Sequence, residues 1–507
     1  MVARLFTFPR YSARMNQTTL AADGPAGGFA DRVRSAVIWR WGSQVLSQLV
    51  TWAVTIIIVR LLNPHDYGLF AMTQAVLAAF NFLNGYGFAT SLIPADRVDQ
   101  RQVGQVFGML LLANGALAVA QFLAAPFAAS YYGQPLVADM LRLQAVVFLT
   151  TPFIALPTAL LSRRLDFRSQ ARTNFASAFV GAGVGLTLAL LGYGVWALVW
   201  APIAIFATRA LGLTLAARML VKPVFDFRGA GQIVRFGSAL MVSQLFWIVQ
   251  SQADIVIAGR SFSTHELGLY SESLFVALIF TGRFLPPLNE VAFPAYAELA
   301  KAGKPIAPAF LKGVRLIMLA TAPLYIGLSL VAGPLIETMF GPKWLGMIPI
   351  LSGLALAMPA MALQLVCSPA TNAPGEARSY MLTNAAGAVI MPVCFLIGVG
   401  YGTQGLVASW QVAAPLLLAV TLAVSLPRIG ARLIDLVAAL VPVAVCCAVM
   451  AAAVTALRWE VAPLAAPLRL VLLALGGAAA YFAALTIGWP GIVREAWALS
   501  PGRGRKA

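Results

Sequence analysis

RLLNPHDYGLF at residues 60–70 and RSFSTHELGLY at residues 260–270 match each other in pattern and contain the only two histidines of the chain. In each stretch the histidine follows an arginine by five residues and precedes an acid, a spacer, Gly, Leu and an aromatic residue. Two interpretations follow. The pair is either a split metal or catalytic site or the trace of a larger internal duplication.

The composition predicts a membrane protein. Of the 507 residues, 60% are hydrophobic and only 10% are charged, whereas soluble domains have about 25% charged residues. The chain reads as apolar segments of roughly 20 to 27 residues, and about 20 helical residues cross a bilayer. Segments of this length exclude a β-barrel and predict an all-α polytopic membrane protein. We count fourteen segments, beginning near Val37, Tyr67, Gly104, Val137, Thr173, Val195, Gln232, Leu267, Ala309, Leu345, Ser379, Gln404, Leu433 and Leu464.

The basic residues predict how the chain is oriented. A net charge of +17 would suggest nucleic acid as the partner of a soluble protein. With a cytoplasmic N-terminus, however, the inside segments hold 27 of the 35 lysines and arginines, as the positive-inside rule requires. We therefore expect both termini in the cytoplasm and no nucleic-acid partner. The four cysteines fall in apolar segments and predict neither a disulfide framework nor a zinc site.

Further matches extend the histidine pair into a repeat. RWGSQVLSQL (40–49) resembles RFGSALMVSQL (235–245), and GYGVWALV (192–199) resembles GYGTQGLV (400–407). APFAASYYG (125–133) likewise resembles GPLIETMFG (333–341), so the landmarks keep one order at offsets of 195 to 208 residues. One repeat spans six of the predicted helices. Because six is even, both copies cross the membrane in the same sense, so the pattern predicts two parallel six-helix repeats around a midplane cavity.

The repeat defines the expected domains. We expect a disordered cytoplasmic tail (1–34), an N-terminal six-helix bundle (35–218) and a C-terminal six-helix bundle (219–430). Two extra helices (431–490) and a basic cytoplasmic tail (491–507) follow.

Several motifs resemble one family. RLLNPHDYGLFAM, LLSRRLDF, GYGVWALV, KPVFDF followed by RFG, ADIVIAGR, ELGLYS and FPAYAEL are similar to the Wzx-type polysaccharide flippases of the multidrug, oligosaccharidyl-lipid and polysaccharide (MOP) exporter superfamily. The resemblance covers roughly residues 35–430, and it departs from the family where SFST stands after GR. It implies a MATE-like fold and translocation of an undecaprenyl-pyrophosphate-linked oligosaccharide across the bacterial inner membrane.

The resemblance also sets the expected partners and rivals. The exported sugar belongs to an exopolysaccharide, a capsule or an O-antigen, with membrane lipid, a polysaccharide polymerase and glycosyltransferases as partners. No cofactor is expected apart from coupling to H⁺ or Na⁺. The alternative functions are a drug or cation antiporter of the same superfamily and a lipid II flippase. The arginines that line the cavity of lipid II flippases have no match in this sequence. An enzyme such as a polymerase or ligase is disfavoured, because the outer loops are short and no DxD, Walker A, HExxH or GxSxG motif is present.

Polar residues within the segments are candidates for the substrate path. A hydrated sugar head cannot cross hydrocarbon, so we expect hydroxyl and amide groups between the bundles. Gln48, Asn81 and Gln244 are the chosen lining residues; the alternative is hydrogen bonding between helices. Arg209 and Arg283 lie in the cytoplasmic third and are expected to receive the diphosphate. Their alternative is snorkelling to the interface.

Acids and histidines near the outer ends are candidates for ion coupling or gating. Asp254 and Glu272 flank the second histidine stretch and bind the coupling ion in our interpretation, with Arg260 as the alternative partner of the acids. Asn63 with Pro64, and Ser263 with Glu266, have helix-capping spacing. His65 and His265 therefore start two helices, with protonation biasing closure of the outer mouth. We expect no metal site.

Overall fold

The computed structural model describes residues 54–90, 92, 99–219, 221–226, 231–373 and 377–498. Within these residues, the side chains of 231–245, 377, 378, 380 and 496–498 are not described. All regular structure in this part of the chain is helical. The expected N-terminal tail (1–34) lies outside the described residues.

The described helices follow the order of the apolar segments. After a helical segment at residues 54–61, the first half contains α1 (Pro64–Asn81), α2 (Tyr86–Thr90), α3 (Gln100–Tyr132), α4 (Leu136–Gln144), α5 (Val146–Thr150), α6 (Pro152–Arg163), α7 (Phe167–Leu190) and α8 (Val195–Ala217). The second half contains α9 (Gly231–Ser261), α10 (Thr264–Lys301), α11 (Ala307–Met339), α12 (Met347–Asn372), α13 (Ala377–Gly398) and α14 (Gly402–Ile429). Then come α15 (Leu433–Glu460), α16 (Ala466–Gly488) and α17 (Pro490–Ala498). Two short 3₁₀ helices, Pro342–Trp344 and Val399–Tyr401, complete the order.

The chain is a polytopic α-helical membrane protein. Ten candidate spans within the described residues are long and apolar enough to cross a membrane. One of them, Met381–Ile429, contains most of α13 and all of α14. The fourth apolar segment is divided into α4, α5 and α6, with breaks at Ala145 and Thr151. The second break is explained by Pro152, which supplies no backbone N–H and begins α6. Fourteen crossings remain a prediction.

Helix ends that the sequence places on one side of the membrane meet in the structure. At one end, which we call the histidine end, residues 60–66 and 260–266 come together, and a Cβ on Gly259 of α9 would lie 2.7 Å from the Tyr132 ring of α3. At the opposite end, the backbone N–H of Val224 donates to Gly104 of α3 at 2.9 Å. The segment between the halves is thus held against the first half.

The two largest buried clusters join several helices. The larger joins both halves, with Tyr67 and Met72 from α1 packed among Tyr270, Trp344 and other buried residues of the second half. The other cluster packs α15 and α16 against α11 and includes Phe310 and Tyr481. Residues 490–498 form the short helix α17, which lies mostly within the expected basic tail (491–507). Its Glu495 pairs with Lys312 and Arg315 of α11.

Candidate functional site

The two histidine stretches are helix starts, as the capping pattern predicts. The backbone N–H of Asn63 donates to the Asp66 carboxylate at 3.1 Å. In the second stretch, the N–H of Ser263 donates to the Glu266 carboxylate at 3.0 Å, and the N–H of Glu266 donates to Ser263 Oγ at 3.2 Å. These bonds satisfy amide groups that a helix leaves without partners. The predicted capping box at Ser263 is confirmed.

The two helix starts pack directly on each other. A Cβ on Gly68 of α1 would lie 1.8 Å from the carbonyl oxygen of Thr264, and a Cβ on Gly268 of α10 would lie 1.8 Å from that of Pro64. Only glycine permits this approach, because the obstructing atoms belong to backbone and cannot rotate away. The contact is reciprocal: Gly68 packs on Thr264, and its equivalent Gly268 packs on Pro64, the equivalent of Thr264.

The histidines lie at the rim of this contact. Both are exposed, and His65 Nδ1 forms a hydrogen bond with Thr264 Oγ1 across the two halves. The described residues contain no group of three histidine, cysteine or acidic side chains placed to hold a metal ion. The pair is therefore part of a contact between helix starts.

Hydrogen bonds at the end of the first helical segment (54–61) hold the halves together beside the histidines. Arg60 Nε donates to the Met339 carbonyl at 2.9 Å, and its guanidinium also bonds the Thr338 carbonyl. The indole N–H of the fully buried Trp344 donates to the Val59 carbonyl at 3.0 Å. We call these bonds, together with the glycine contact, the histidine-end seam. In this structure the seam closes that end of the molecule.

Asp254 lies in a buried chain of hydrogen bonds. Only 1% of Asp254 is exposed. The Tyr270 hydroxyl donates to Asp254 Oδ2 at 2.8 Å, and the Trp410 indole N–H donates to the Tyr270 oxygen at 2.7 Å. The backbone N–H of Ile255 donates to Oδ1 at 2.8 Å. A carboxylate with such fixed donors is held in place and shielded from lipid.

The alternative partner for the acids, Arg260, makes a different contact. Its guanidinium carbon lies 5.2 Å from the Tyr131 ring centroid, which is a cation–π distance. Tyr270 and Trp410, the partners of Asp254, were not predicted from the sequence. A pattern shows which face of a helix a residue occupies but not which distant residue it meets.

Glu272 faces a different environment from Asp254. It lines an apolar cavity of about 390 Å³ between the segment 54–61, α10 and α11, with Phe275, Phe280 and Tyr325 among its neighbours. Within the described residues Glu272 makes no hydrogen bond or ion pair. The structure thus separates the two acids: Asp254 is held by donors, whereas Glu272 faces apolar groups.

The two arginines occupy separate halves. Arg209 is fourteen residues into α8, roughly 21 Å from its start, and Arg283 is nineteen residues into α10, roughly 28 Å from its start. The guanidinium Nε of Arg209 is buried and has no hydrogen-bond partner among the described residues. Arg283 is exposed. Arg209 and Arg283 do not contact each other in the described part of the chain.

Of the three amide side chains predicted to line the substrate path, the structure describes only that of Asn81. Asn81, at the end of α1, is exposed and its side-chain oxygen accepts from Asn84 Nδ2 at 2.9 Å. Gln48 lies outside the described residues, as does the side chain of Gln244. Their lining role stays a prediction.

Comparison with known proteins identifies the family. A family model described as "Polysaccharide biosynthesis protein" matches residues 57–349, which is more than half of the chain. The chain belongs to this polysaccharide biosynthesis family. The chain is also similar to the succinoglycan biosynthesis transport protein ExoT of Rhizobium meliloti (strain 1021), with 27% identity over 320 residues covering 62% of this chain and 65% of ExoT. The lipopolysaccharide biosynthesis protein WzxC of Escherichia coli (strain K12) is 21% identical over 301 residues, 58% of this chain and 60% of WzxC. The chain thus matches less than two thirds of these relatives' lengths.

Solved structures show the fold of this family member. The lipid II flippase MurJ in an inward closed conformation matches with a TM-score of 0.73 at 13% identity, covering 90% of this chain and 100% of MurJ. An inward-facing multidrug resistance MATE family transporter of the MOP superfamily matches with a TM-score of 0.61 at 15% identity, covering 78% and 98%. The chain therefore has the polytopic MOP fold that the motifs predict.

Proposed function

We propose that this protein is a flippase that translocates undecaprenyl-pyrophosphate-linked oligosaccharide units across the bacterial inner membrane by alternating access. The product serves exopolysaccharide, capsule or O-antigen synthesis. The observation that carries the proposal is the family match over residues 57–349, together with relatives named for succinoglycan transport and lipopolysaccharide biosynthesis. The MOP fold supplies two halves that can open alternately.

In the proposed arrangement fourteen helices form two parallel six-helix bundles (35–218 and 219–430) and a C-terminal pair, with both termini in the cytoplasm. The reciprocal contact of Gly68 and Gly268 supports a duplicated architecture, because equivalent positions meet across the two halves. The histidine end then faces away from the cytoplasm. Its closed seam corresponds to a state that accepts substrate from the cytoplasmic side.

The diphosphate is received by Arg209 and Arg283 in this proposal. Arg209 supports this role because its buried Nε has no partner among the described residues, and a phosphate oxygen would supply one. Arg283 is exposed in the other half. A diphosphate between the halves would therefore interact with both and favour the state in which they approach.

Energy for the cycle enters through protons or sodium ions at Asp254 or Glu272. Asp254 supports the proposal because a buried carboxylate held by Tyr270 changes its interactions when a cation neutralises it. The hydrogen bond of His65 to Thr264 crosses the seam, so protonation of the histidine would alter the closing of the outer mouth.

Lipid analysis of a gene deletion tests the function. We expect the deletion strain to accumulate the lipid-linked repeat unit in the inner leaflet and to lose surface polysaccharide, with both reversed by the wild-type gene. Changed drug sensitivity with normal surface polysaccharide would instead indicate a drug antiporter, and accumulated lipid II would indicate a lipid II flippase. Polymerase and glycosyltransferase partners are expected to be encoded nearby.

A further inference from the structure

A neutral polar cavity lies within the second half, and neither arginine of the proposed diphosphate site lines it. It has a volume of about 120 Å³ and lies between α9, α10, α12, α13 and α14. Its lining consists of amides and hydroxyls with one indole and one leucine, and contains no charged residue: Trp247, Gln250, Asn289, Gln364, Leu365, Ser368, Thr371, Asn372, Thr383, Asn384, Thr421 and Ser425.

Three buried amide atoms in this lining have no hydrogen-bond partner within the described part of the chain. They are Gln250 Oε1, Asn372 Oδ1 and Asn384 Nδ2. Asn384 is only 7% exposed, so water reaches it only from the cavity. Buried polar groups are costly unless they are bonded. Three at one cavity of this size indicate a place built for a polar occupant.

The unpartnered groups are held in place by their surroundings. Asn372 Nδ2 donates to Ser368 Oγ at 3.3 Å, which leaves its carbonyl oxygen for another donor. Gln250 lies against Gly387 of α13, where a Cβ would come 2.1 Å from Gln250 Oε1. The missing side chain at Gly387 is thus what gives the Gln250 amide its place in the cavity.

A larger cavity shares part of this lining. A space of about 550 Å³ shares Asn289, Leu365, Ser368 and Asn372 with it and adds Phe293 and Glu290. The smaller cavity has room for about four water molecules at roughly 30 Å³ each.

The chemistry of the lining selects the occupant. A diphosphate needs cationic donors, and a hard cation is usually bound by carboxylates together with carbonyls, whereas the lining of the smaller cavity contains neither a cationic side chain nor a carboxylate. Amides and hydroxyls beside an aromatic ring match a molecule that is rich in hydroxyl groups on one edge and apolar on its face. Such a molecule is a neutral sugar.

We infer that this cavity binds a sugar unit of the lipid-linked oligosaccharide and thereby reads the identity of the repeat unit. The inference rests on the proposed flippase function and divides the substrate between two sites. The arginines hold the diphosphate that all such lipids share, and the second half holds the sugar that distinguishes them. Discrimination arises because the cavity amides stay unbonded when the wrong sugar, or none, is present.

Binding to purified protein in detergent tests the inference with two probes. One is the lipid-linked oligosaccharide extracted from the deletion strain, and the other is undecaprenyl pyrophosphate without sugar. The variants are Asn384→Leu, which replaces the amide by an apolar group of similar size, and Thr421→Val, which removes a hydroxyl with little change of volume. Asn114→Leu is the matched control, because Asn114 is also buried with an unpartnered Oδ1 within the described residues but lies in α3.

We expect Asn384→Leu to weaken binding of the lipid-linked oligosaccharide roughly five- to ten-fold, the loss of about one or two hydrogen bonds. Thr421→Val should have a smaller effect in the same direction, and both should bind undecaprenyl pyrophosphate like the wild type. Asn114→Leu should bind both probes like the wild type. Thr421→Val decides the test if Asn384→Leu does not fold.

Four outcomes would overturn the inference. Equal weakening for both probes would mean that the cavity does not read the sugar, and unchanged binding of both would mean that it does not contact the substrate. Thermal stabilisation by sodium chloride over choline chloride that Asn384→Leu abolishes would mean that the cavity holds a cation. A wild-type protein that binds neither probe would reject the proposed flippase function as well.

Discussion

Gly68 and Gly268 lie against each other's helix starts, each so close that a Cβ would come 1.8 Å from a backbone oxygen of the opposite helix. The reciprocity means that two copies of one motif form a single contact between the halves. Any transport cycle that opens this end must separate these backbones. The contact is therefore expected to control the closed state.

Alanine at either glycine should weaken the closed seam. We expect Gly68→Ala and Gly268→Ala to cost about 1–3 kcal/mol, typical of overpacking against atoms that cannot move. Thermal unfolding of the purified variants measures the effect as a lower Tm. Gly183→Ala in α7 is the matched control, since nothing lies within 4 Å of its Cβ position. Equal Tm values for Gly268→Ala and this control would show that the approach does not stabilise the protein.

Loss of charge at either arginine should slow flipping. Arg209→Gln and Arg283→Gln remove a guanidinium that the diphosphate would engage, and we expect about a ten-fold or larger loss of the flipping rate. Lysine should restore only part of it, because it lacks the planar fork. Polymer export and flipping into proteoliposomes provide the measurement. The control is Arg142→Gln, which removes a half-buried arginine paired with Asp139 in the first half. Wild-type export by Arg283→Gln would remove Arg283 from the site.

Asp254 should connect flipping to an ion gradient. Asp254→Asn keeps the shape and an acceptor for the Tyr270 hydroxyl but cannot bind a proton. We expect this variant to bind substrate normally while its flipping no longer responds to an imposed pH or sodium gradient. Tyr270→Phe keeps the carboxylate and should keep that response. Glu272→Gln is measured in parallel. If Glu272→Gln loses the gradient response and Asp254→Asn keeps it, the coupling residue is Glu272.

The histidines provide a separate test of pH dependence. If they bias the outer mouth, the double variant His65→Gln/His265→Gln should flatten the dependence of flipping between about pH 5 and 8. The His65 bond to Thr264 gives the physical reason, because it crosses the seam. An unchanged pH profile in the double variant rejects this gating role and leaves the coupling test at Asp254 unaffected.

Glu495 should hold α17 against α11. Its carboxylate bonds Lys312 Nζ at 2.7 Å and also pairs with Arg315, and these cations hold the pKa of Glu495 below its ordinary value of 4.5. The stabilisation is thus present above pH 4.5 and is lost as the pH falls through the lowered pKa. We expect faster amide exchange in α17 for Glu495→Gln at neutral pH. Glu460→Gln, an exposed control in α15, should leave that exchange unchanged.

Local sequence chemistry predicted the helix starts and the class of fold. Asn63 with Asp66 and Ser263 with Glu266 cap their helices, because a cap depends on residues only three positions apart. Hydrophobic length likewise indicated membrane spans, since the bilayer sets that length. These features need no knowledge of how helices pack.

Contacts between helices that are distant in the chain could not be predicted from the sequence. Trp410 reaches Tyr270 across 140 positions, and the amide cavity collects residues from five helices. Periodicity tells which face of a helix is polar, but several packings satisfy the same pattern. For the same reason, the sequence suggested Arg260 as an alternative partner of Asp254 and Glu272, whereas in the structure its guanidinium lies over the Tyr131 ring.

Flipping in proteoliposomes tests the central claim most directly. Purified protein is reconstituted with the lipid-linked oligosaccharide from the deletion strain, and the fraction of sugar heads accessible to an external glycosidase is followed with time. The account predicts that heads on the inner leaflet become accessible with the protein and not in protein-free liposomes, at a rate that Arg209→Gln lowers. Equal accessibility with and without active protein, under an imposed ion gradient of either direction, would contradict it.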